Sequence, residues 1–149
     1  MRAFEKKGVI VRQQQTELAI KTTGPGLFDF TDDACRWVSN AGIENGILTL
    51  FCRHTSASLT IQENADPDVL RDLHSFFQAL VREDPLLYRH NSEGPDDMPA
   101  HIRAALTDVS LNIPVADGRP VLGTWQGIYL FEHRARPHRR SVFLHLMGD

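Results

Sequence analysis

Ile47-Leu48-Thr49-Leu50-Phe51-Cys52 (residues 47–52) is a nearly continuous apolar run in the first half of the 149-residue chain. A short apolar run without polar alternation predicts a central strand that is buried on both faces. The next periodic segment, Ser58–Gln62, alternates apolar with polar residues, which is typical of a strand with one face in water. The fold is therefore expected to be built around a sheet.

Three helices are expected to pack on this sheet. The clearest helix is predicted to run from Pro67 to Glu83. Asp66 caps it, and Pro67 takes its first position. A first helix is predicted to begin near Thr31 and to end at Gly42, and a third to span residues 99–107. Their predicted apolar faces, in chain order, are Ala34, Trp37, Val38 and Ala41; Val69, Leu70, Leu73, Phe76, Phe77, Leu80 and Val81; and Ile102, Ala105 and Leu106.

The remaining periodic segments predict strands. They are Val9–Val11, Thr16–Thr22, Leu111–Val115, Gly127–Glu132 and Ser141–Met147. Strands and helices do not alternate regularly, as they would in a doubly wound parallel fold. The sequence therefore predicts an α+β fold over residues 1–149, as a single compact domain with a mixed or largely antiparallel sheet and about three helices.

Composition excludes several classes of protein. With 42% hydrophobic and 23% charged residues, a net charge of -3 and no apolar run of about 20 residues, the chain fits neither a nucleic-acid-coating protein nor a membrane protein. Its first residues, MRAFEKKGVIVRQQQ, contain no apolar core of a secretory signal. Cys35 and Cys52 are too far apart for a CxxC motif, so they are interpreted as reduced thiols of a cytoplasmic protein.

Acids and imidazoles are crowded between His90 and His101, in a segment stiffened by two prolines. Neutral imidazole and carboxylate are ligands of zinc and related divalent ions. The segment supplies five such groups: His90, Glu93, Asp96, Asp97 and His101. An acid-rich loop whose aspartates cap the third helix is an equally good interpretation of this stretch alone.

Polar residues also follow the central strand. His54 is a candidate metal ligand or general base, and the hydroxyls of Ser56 and Ser58 are candidate hydrogen-bond donors to a phosphate. A turn whose hydroxyls bond to their own backbone would have the same composition. Glu63 and Asn64, just before the cap Asp66, are further candidates for catalysis and binding.

Two later segments could bind an anion. The loop Gly123-Thr124-Trp125-Gln126 could cradle phosphate with its backbone and stack Trp125 on a ring, or it could be a hairpin with a core tryptophan. Four arginines follow within residues 134–140. Arg134 and Arg140 adjoin strand ends and are predicted to hold the anion, whereas Arg136 and Arg139 are predicted to be solvated.

Together these segments resemble the YjbQ family, sometimes labelled secondary thiamine-phosphate synthase. The residues that carry the resemblance are His54–Leu59, Glu63–Val69, His90–His101, Leu122–Leu130, Glu132–Arg134 and Pro137–Arg140. The similarity extends from about Thr16 to Met147, and the strings DDMPAH and GTWQG are its most specific parts.

This resemblance implies a homotrimer with a histidine-lined cleft and a weak thiamine-phosphate synthase activity. It favours one divalent metal held by His54, His90 and His101, most simply zinc, with magnesium or manganese as alternatives. Glu93 or Asp97 would then act as the nearby acid, and a phosphorylated small molecule would be the substrate. Two other functions stay open: a metal-dependent hydrolase of a phosphorylated metabolite, and a non-catalytic trimeric module that binds one.

Overall fold

A computed structural model describes residues 10–149, which contain eight strands, three α-helices and one short 3-10 helix. The strands are β1 (Arg12–Lys21), β2 (Gly26–Asp29), β3 (Gly46–Cys52), β4 (Ala57–Glu63), β5 (Ser110–Ala116), β6 (Arg119–Pro120), β7 (Gln126–Glu132) and β8 (Arg139–Gly148). The helices are α1 (Thr31–Ala41), α2 (Pro67–Leu80) and α3 (Asp97–Leu106), with the 3-10 helix at Pro85–Leu87. Of the strand predicted at Val9–Val11, Val9 lies outside the described residues and Val11 directly precedes β1. None of the described helices is long and apolar enough to cross a membrane.

The strands form two antiparallel sheets, in agreement with the largely antiparallel strand pairing that was one of the predicted arrangements. One sheet has the order β1-β8-β3-β5-β6, and the other has the order β2-β7-β4. One hydrophobic core draws on both sheets and on α1, through residues such as Val38, Leu50, Leu59, Leu130 and Leu144. The predicted α+β class and the single compact domain are confirmed, since the three predicted helices are present.

β3 is buried on one face only, so the prediction of a strand buried on both faces is wrong. Leu48 and Leu50 are fully buried, whereas Ile47 and Phe51 are 52% and 47% exposed. Successive side chains of a strand point to opposite faces. In a single chain, the core covers one face of the five-stranded sheet and leaves the other face of β3 in solvent.

α1 and α2 begin near their predicted residues. α1 buries Ala34, Val38 and Ala41 and ends at Gly42, whose φ of 70° is the left-handed conformation that favours glycine. Asp66 caps α2, since its Oδ1 accepts a hydrogen bond of 2.9 Å from the Asp68 N–H.

The end and the apolar face of α2 differ from the prediction. The helix ends at Leu80 instead of Glu83, because Val81 takes an extended conformation. None of its side chains is fully buried. Phe77 packs edge-to-face on Phe131 with 5.5 Å between the ring centroids, whereas Phe76 and Leu80 are exposed. α2 therefore covers the smaller sheet only partly.

α3 begins at Asp97 and buries a different face from the predicted one. Its buried residues are Asp97, Pro99, Ala100 and Arg103, whereas Ala105 and Leu106 are exposed. Arg103 is only 1% exposed. Its guanidinium donates to the carbonyl oxygens of Phe77, at 3.2 Å, and Val81, at 2.6 Å. A cation at the C-terminal end of α2 complements the helix dipole, which explains why an arginine turns inwards here.

Candidate metal centre

Three ligand groups meet where the loop before α3 joins the helix. Asp97 is the first residue of α3, and His101 lies one turn later on the same helix face. His90, in the preceding loop, folds back onto them. One ligand atom from each of the three residues lies within 4.8 Å of the other two. The Nε2 atoms of His90 and His101 lie 2.6 Å and 3.1 Å from Asp97 Oδ2.

A backbone carbonyl fixes the proton of His101. Its Nδ1 lies 2.9 Å from the carbonyl oxygen of Thr55, which can only accept a hydrogen bond, so Nδ1 carries the proton. In the neutral ring, Nε2 then presents its lone pair to Asp97 Oδ2. Two electron-rich atoms at this distance need a cation between them, either a proton or a metal ion. Metal-bound histidines commonly donate their other ring N–H to a carbonyl in this way.

Arg134 holds the acidic part of this site in place. Its guanidinium donates to Asp96 Oδ2 at 2.9 Å, to Asp97 Oδ1 at 2.7 Å and to the carbonyl of Glu93 at 2.9 Å. Burial raises the pKa of Asp97, but contacts with His90 and Glu93 and the charge of Arg134 outweigh it and hold that pKa below its usual range. The sequence predicted that Arg134 binds an anionic ligand. In the structure its guanidinium is instead paired with the carboxylates of Asp96 and Asp97.

His54 does not join the three ligand groups. Its Nε2 accepts a hydrogen bond of 2.7 Å from the Ser141 N–H. Because a backbone N–H only donates, the ring is neutral and carries its proton on Nδ1. Burial, and next the charge of Arg140, lower the pKa of His54, which agrees with a neutral ring. The ring thus has no free lone pair, so the prediction that His54 is a metal ligand or general base does not fit this geometry.

His54 and His101 nevertheless share the wall of a cleft of about 290 Å³. A second, more open cleft of about 590 Å³ adjoins it and is also lined by His54, together with Phe51 and Val109. Glu93 is exposed on the loop that also carries His90. Two of the three predicted histidines therefore line one cleft, whereas Asp97 and not His54 lies with His90 and His101 among the candidate ligands.

Three residues predicted to bind a phosphate are buried and make hydrogen bonds within the protein: Ser56, Ser58 and Arg140. The Arg140 guanidinium pairs with both carboxylate oxygens of Glu132 and donates to Ser56 Oγ at 3.1 Å. The fully buried Ser58 Oγ lies 2.9 Å from His133 Nε2 and accepts from Thr107. These contacts stabilise the fold. Ser56 also lines the wider cleft, whereas Ser58 and Arg140 line neither of the two clefts beside His54. Arg136 and Arg139 are exposed, as predicted.

The remaining predicted binding residues lie at the opposite end of the smaller sheet. In the β4–β7 register, Ala57 faces Glu132 near the histidines, whereas Glu63 faces Gln126 six residues further along. At about 3.4 Å per residue, the two ends are about 20 Å apart. Glu63, Asn64 and the loop from Gly123 through Thr124 and Trp125 to Gln126 therefore do not join the histidine cleft of the same chain.

Trp125 is 63% exposed, so it is not the core tryptophan that the alternative interpretation of this loop predicted. The loop around it is held by its own hydrogen bonds. Gln126 Oε1 accepts from the Gly123 N–H at 2.8 Å, and the Trp125 carbonyl accepts from the Asn64 N–H at 2.9 Å. These contacts give the loop a structural explanation that requires no phosphate.

Sequence reasoning missed two buried groups near the site. Arg103 and His133 are almost fully buried, and each has a ring or guanidinium nitrogen without a hydrogen-bond partner among the described residues. His133 is buried because of the register of β7, and Arg103 because it lies on the inward face of α3. Neither the register nor the face can be derived from the composition of the sequence. The carbonyl of Thr55 was also missed, since backbone groups leave no signal in a sequence motif.

Comparison with known proteins relates the chain to one family. The family described as "UPF0047 protein YjbQ-like" matches residues 16–149. A UPF0047 protein of Synechocystis is 56% identical over 138 residues, covering 93% of this chain and 94% of that protein. The protein YjbQ of Escherichia coli O157:H7 is 40% identical over 136 residues, covering 91% of this chain and 98% of that protein.

Solved structures agree with the fold. A YjbQ/UPF0047 family protein of Clostridium acetobutylicum superposes with a TM-score of 0.80 at 36% identity, over 88% of this chain and 98% of that one. A protein of unknown function from Sulfolobus solfataricus superposes with a TM-score of 0.86 over 94% of this chain and 100% of that one. At 24% identity the second likeness concerns the fold alone.

Proposed function

The chain belongs to the YjbQ-like UPF0047 family, and on that premise we propose that it is a divalent-metal enzyme acting on a phosphorylated small molecule. His90, Asp97 and His101 would hold the metal, and the substrate would bind in the adjoining cleft. Two imidazoles and one carboxylate suit zinc best, although manganese or magnesium could also occupy such a site. When bound, the metal would neutralise phosphate oxygens and polarise the bond that breaks.

The observation that carries this proposal is the fixed tautomer of His101. The Thr55 carbonyl turns the Nε2 lone pair of His101 towards Asp97 Oδ2, on which His90 Nε2 also converges. Arg134 binds the other oxygen of the same carboxylate. In the proposed site, Arg134 and the Thr55 carbonyl would be the outer-sphere partners that orient the ligands Asp97 and His101.

The class of reaction is the finer part of the proposal. The resemblance implies a thiamine-phosphate synthase, in which a diphosphate leaves one substrate as a second is joined to it. Arg134 and Arg140 are both paired with carboxylates, so the metal would have to supply most of the positive charge for such a leaving group. Hydrolysis of a phosphate monoester by the same site needs less charge and only one organic substrate.

We expect the purified protein to bind one zinc ion per chain. His101→Ala, His90→Ala and Asp97→Asn should each lower zinc affinity by about tenfold or more, because each removes one of three protein ligands. His145→Ala and Asp33→Asn are the matched controls, since both residues lie outside the cluster. Elemental analysis and a competitive zinc indicator measure the effect. Wild-type affinity in all three cluster variants would contradict the metal centre.

Turnover separates the candidate functions. The zinc-loaded protein is assayed for diphosphate release from the two thiamine precursors together, and for phosphate release from monoesters alone. Diphosphate release that needs both precursors and stops on chelation supports the synthase, and phosphate release from one monoester supports the hydrolase. Tight ligand binding without turnover would instead support the binding module and contradict an enzyme.

We also propose that the protein assembles as a homotrimer, as the family resemblance implies. The outer face of the five-stranded sheet supports this, because it exposes Ile47, Phe51 and Met147, and Ile47 lies directly beside Met147 on β8. Contiguous apolar side chains on a surface commonly mark a protein interface.

Light scattering is therefore expected to give three times the 16.8 kDa chain mass at micromolar concentration. Ile47→Glu should shift this mass towards the monomer, because it places a charge in the proposed interface. Leu86→Glu is the control, since Leu86 is more exposed than Ile47 but lies on the 3-10 helix. A wild-type monomer, or equal loss of mass in both variants, would count against this face.

We also propose that the protein works in the cytoplasm. Cys35 and Cys52 are both free, and Cys52 is buried in the core. Unpaired thiols of this kind are usual in a compartment that keeps cysteines reduced.

A further inference from the structure

His54 presents a single polar group to the cleft. Its Nε2 is occupied by the Ser141 N–H, so the neutral ring has its only proton on Nδ1. Nδ1 has no hydrogen-bond partner among the described residues, and it is not one of the buried unpartnered atoms. The Nδ1–H is therefore a donor that solvent or a ligand can reach.

The cleft beside this donor is otherwise largely apolar. Its polar members are His54, Thr55 and His101, and its remaining walls are formed by Ala57, Ala104, Ala105 and Val109. A volume of about 290 Å³ suits a small organic molecule. A few convergent polar groups in a mostly apolar cleft fix the orientation of a ligand, whereas the apolar walls contribute contact area.

We propose that His54 is a ligand-positioning donor whose Nδ1–H binds an oxygen of the phosphate group held at the His90–Asp97–His101 site. The rest of the ligand is then a small apolar or aromatic group lying on the alanine and valine walls. This inference rests on the proposed metal-dependent function and adds to it the role of His54 and the chemical class of the ligand body. It replaces the role of metal ligand that the sequence suggested.

The surroundings of His54 suit a donor and not a base. Burial, and next the positive charge of Arg140, lower the pKa of His54 and so disfavour a second proton on the ring; Arg53 acts in the same direction. The opposing charge is that of Glu132, which Arg140 already pairs. A neutral imidazole keeps its N–H donor throughout the physiological pH range, so the contact with a phosphate oxygen does not depend on protonation of the ring.

The competing explanation is purely structural: His54 satisfies the Ser141 N–H at the start of β8 and does nothing else. The two nitrogens of the ring allow these roles to be separated. A glutamine at position 54 can place an amide oxygen near the position of Nε2, whereas an asparagine can place an amide N–H near the position of Nδ1. His54→Gln therefore preserves the structural contact, and His54→Asn preserves the donor to the ligand.

The first experiment identifies the tautomer in the intact protein by nitrogen-15 NMR of labelled histidines, with His54→Gln used to assign the signal. We expect a protonated Nδ1 and an unprotonated Nε2 at neutral pH, and a shift of the Nδ1 signal when inorganic phosphate is added to the zinc-loaded protein. A protonated Nε2, or an Nδ1 signal unaffected by saturating phosphate, would overturn the proposal.

The second experiment measures the affinity of the zinc-loaded variants for inorganic phosphate by calorimetry. His54→Gln is expected to lose about tenfold or more in affinity with little change in melting temperature, because a hydrogen bond to a charged oxygen is lost. His54→Asn is expected to stay within about threefold of wild type while melting at a lower temperature. Equal phosphate affinity in wild type and both variants would leave only the structural role and overturn the proposal.

Zinc content, measured on the same samples, separates the two proposals. If wild type binds no zinc, the proposed function fails, and the His54 proposal fails with it because it depends on that site. If every variant binds zinc normally but His54→Gln also binds phosphate normally, only the role of His54 is overturned.

Discussion

Arg140→Ala is expected to lower the free energy of unfolding by about 3–5 kcal/mol, the range found when one partner of a buried ion pair is removed. Glu132 is fully buried, and both of its carboxylate oxygens accept hydrogen bonds from Arg140. Without the guanidinium, the carboxylate keeps the Thr22 hydroxyl as a donor and, among the described residues, has only the His138 ring, whose Nδ1 lies 3.3 Å from Oε1, as a basic neighbour. Urea denaturation at neutral pH measures the loss.

Two further variants make this result specific. Arg139→Ala, at the exposed neighbouring position, should change the free energy of unfolding by no more than about 0.5 kcal/mol. The double variant Glu132→Gln/Arg140→Met removes both charges and should recover part of the stability that Arg140→Ala loses. If Arg140→Ala cost no more than Arg139→Ala, the pair would not contribute to the fold.

Acid is expected to destabilise the protein through His133. Burial, followed by the charges of Arg103 and Arg140, lowers the pKa of His133 to about 3. In the unfolded chain the pKa is about 6.5, so between these values the unfolded state binds a proton that the folded state excludes. Stability is therefore complete above about pH 6.5 and falls as the pH decreases, by about 2 kcal/mol between pH 6 and pH 4.5.

This loss is measured by denaturant unfolding at the two pH values in wild type and in His133→Phe. The phenylalanine keeps the ring packing against Phe131 but cannot titrate. All other groups titrate in both proteins, so the difference between the two pH dependences isolates His133. A variant that loses as much stability on acidification as wild type would contradict a neutral, buried His133.

The order of the three α-helices and of the longer strands could be predicted from the sequence, because caps and periodicity are local properties, whereas the short strands β2 and β6 were not predicted. Asp66 with Pro67 begins α2, and Gly42 ends α1, as their backbone preferences require. The burial of each face could not be predicted in the same way. Ile47 and Phe51 are as apolar as Leu48 and Leu50, so the sequence does not distinguish the two pairs. Only the placement of the second sheet decides which pair is buried.

The candidate site was predictable as a cluster of residue types but not as a geometry. His90, Asp97 and His101 belong to one short segment, and the i, i+4 spacing of Asp97 and His101 brings them together once α3 begins at Asp97. His54 reaches the cleft from a distant strand end, and a backbone N–H of a third strand decides its tautomer. Contacts of this kind depend on strand register, which side-chain patterns of single segments do not specify.

The contact of Arg103 with the end of α2 also bears on how the structure opens. α3 carries both Asp97 and His101, and its Arg103 donates hydrogen bonds to the Phe77 and Val81 carbonyls. Separating α3 from the rest of the protein would therefore expose the C-terminal end of α2 and a buried guanidinium together. The two segments should therefore form one cooperative unit in hydrogen exchange, with amides near Val81 and on α3 exchanging at a common rate. Occupation of the Asp97–His101 site would then slow exchange at Val81, on an element that contributes none of the three candidate ligands.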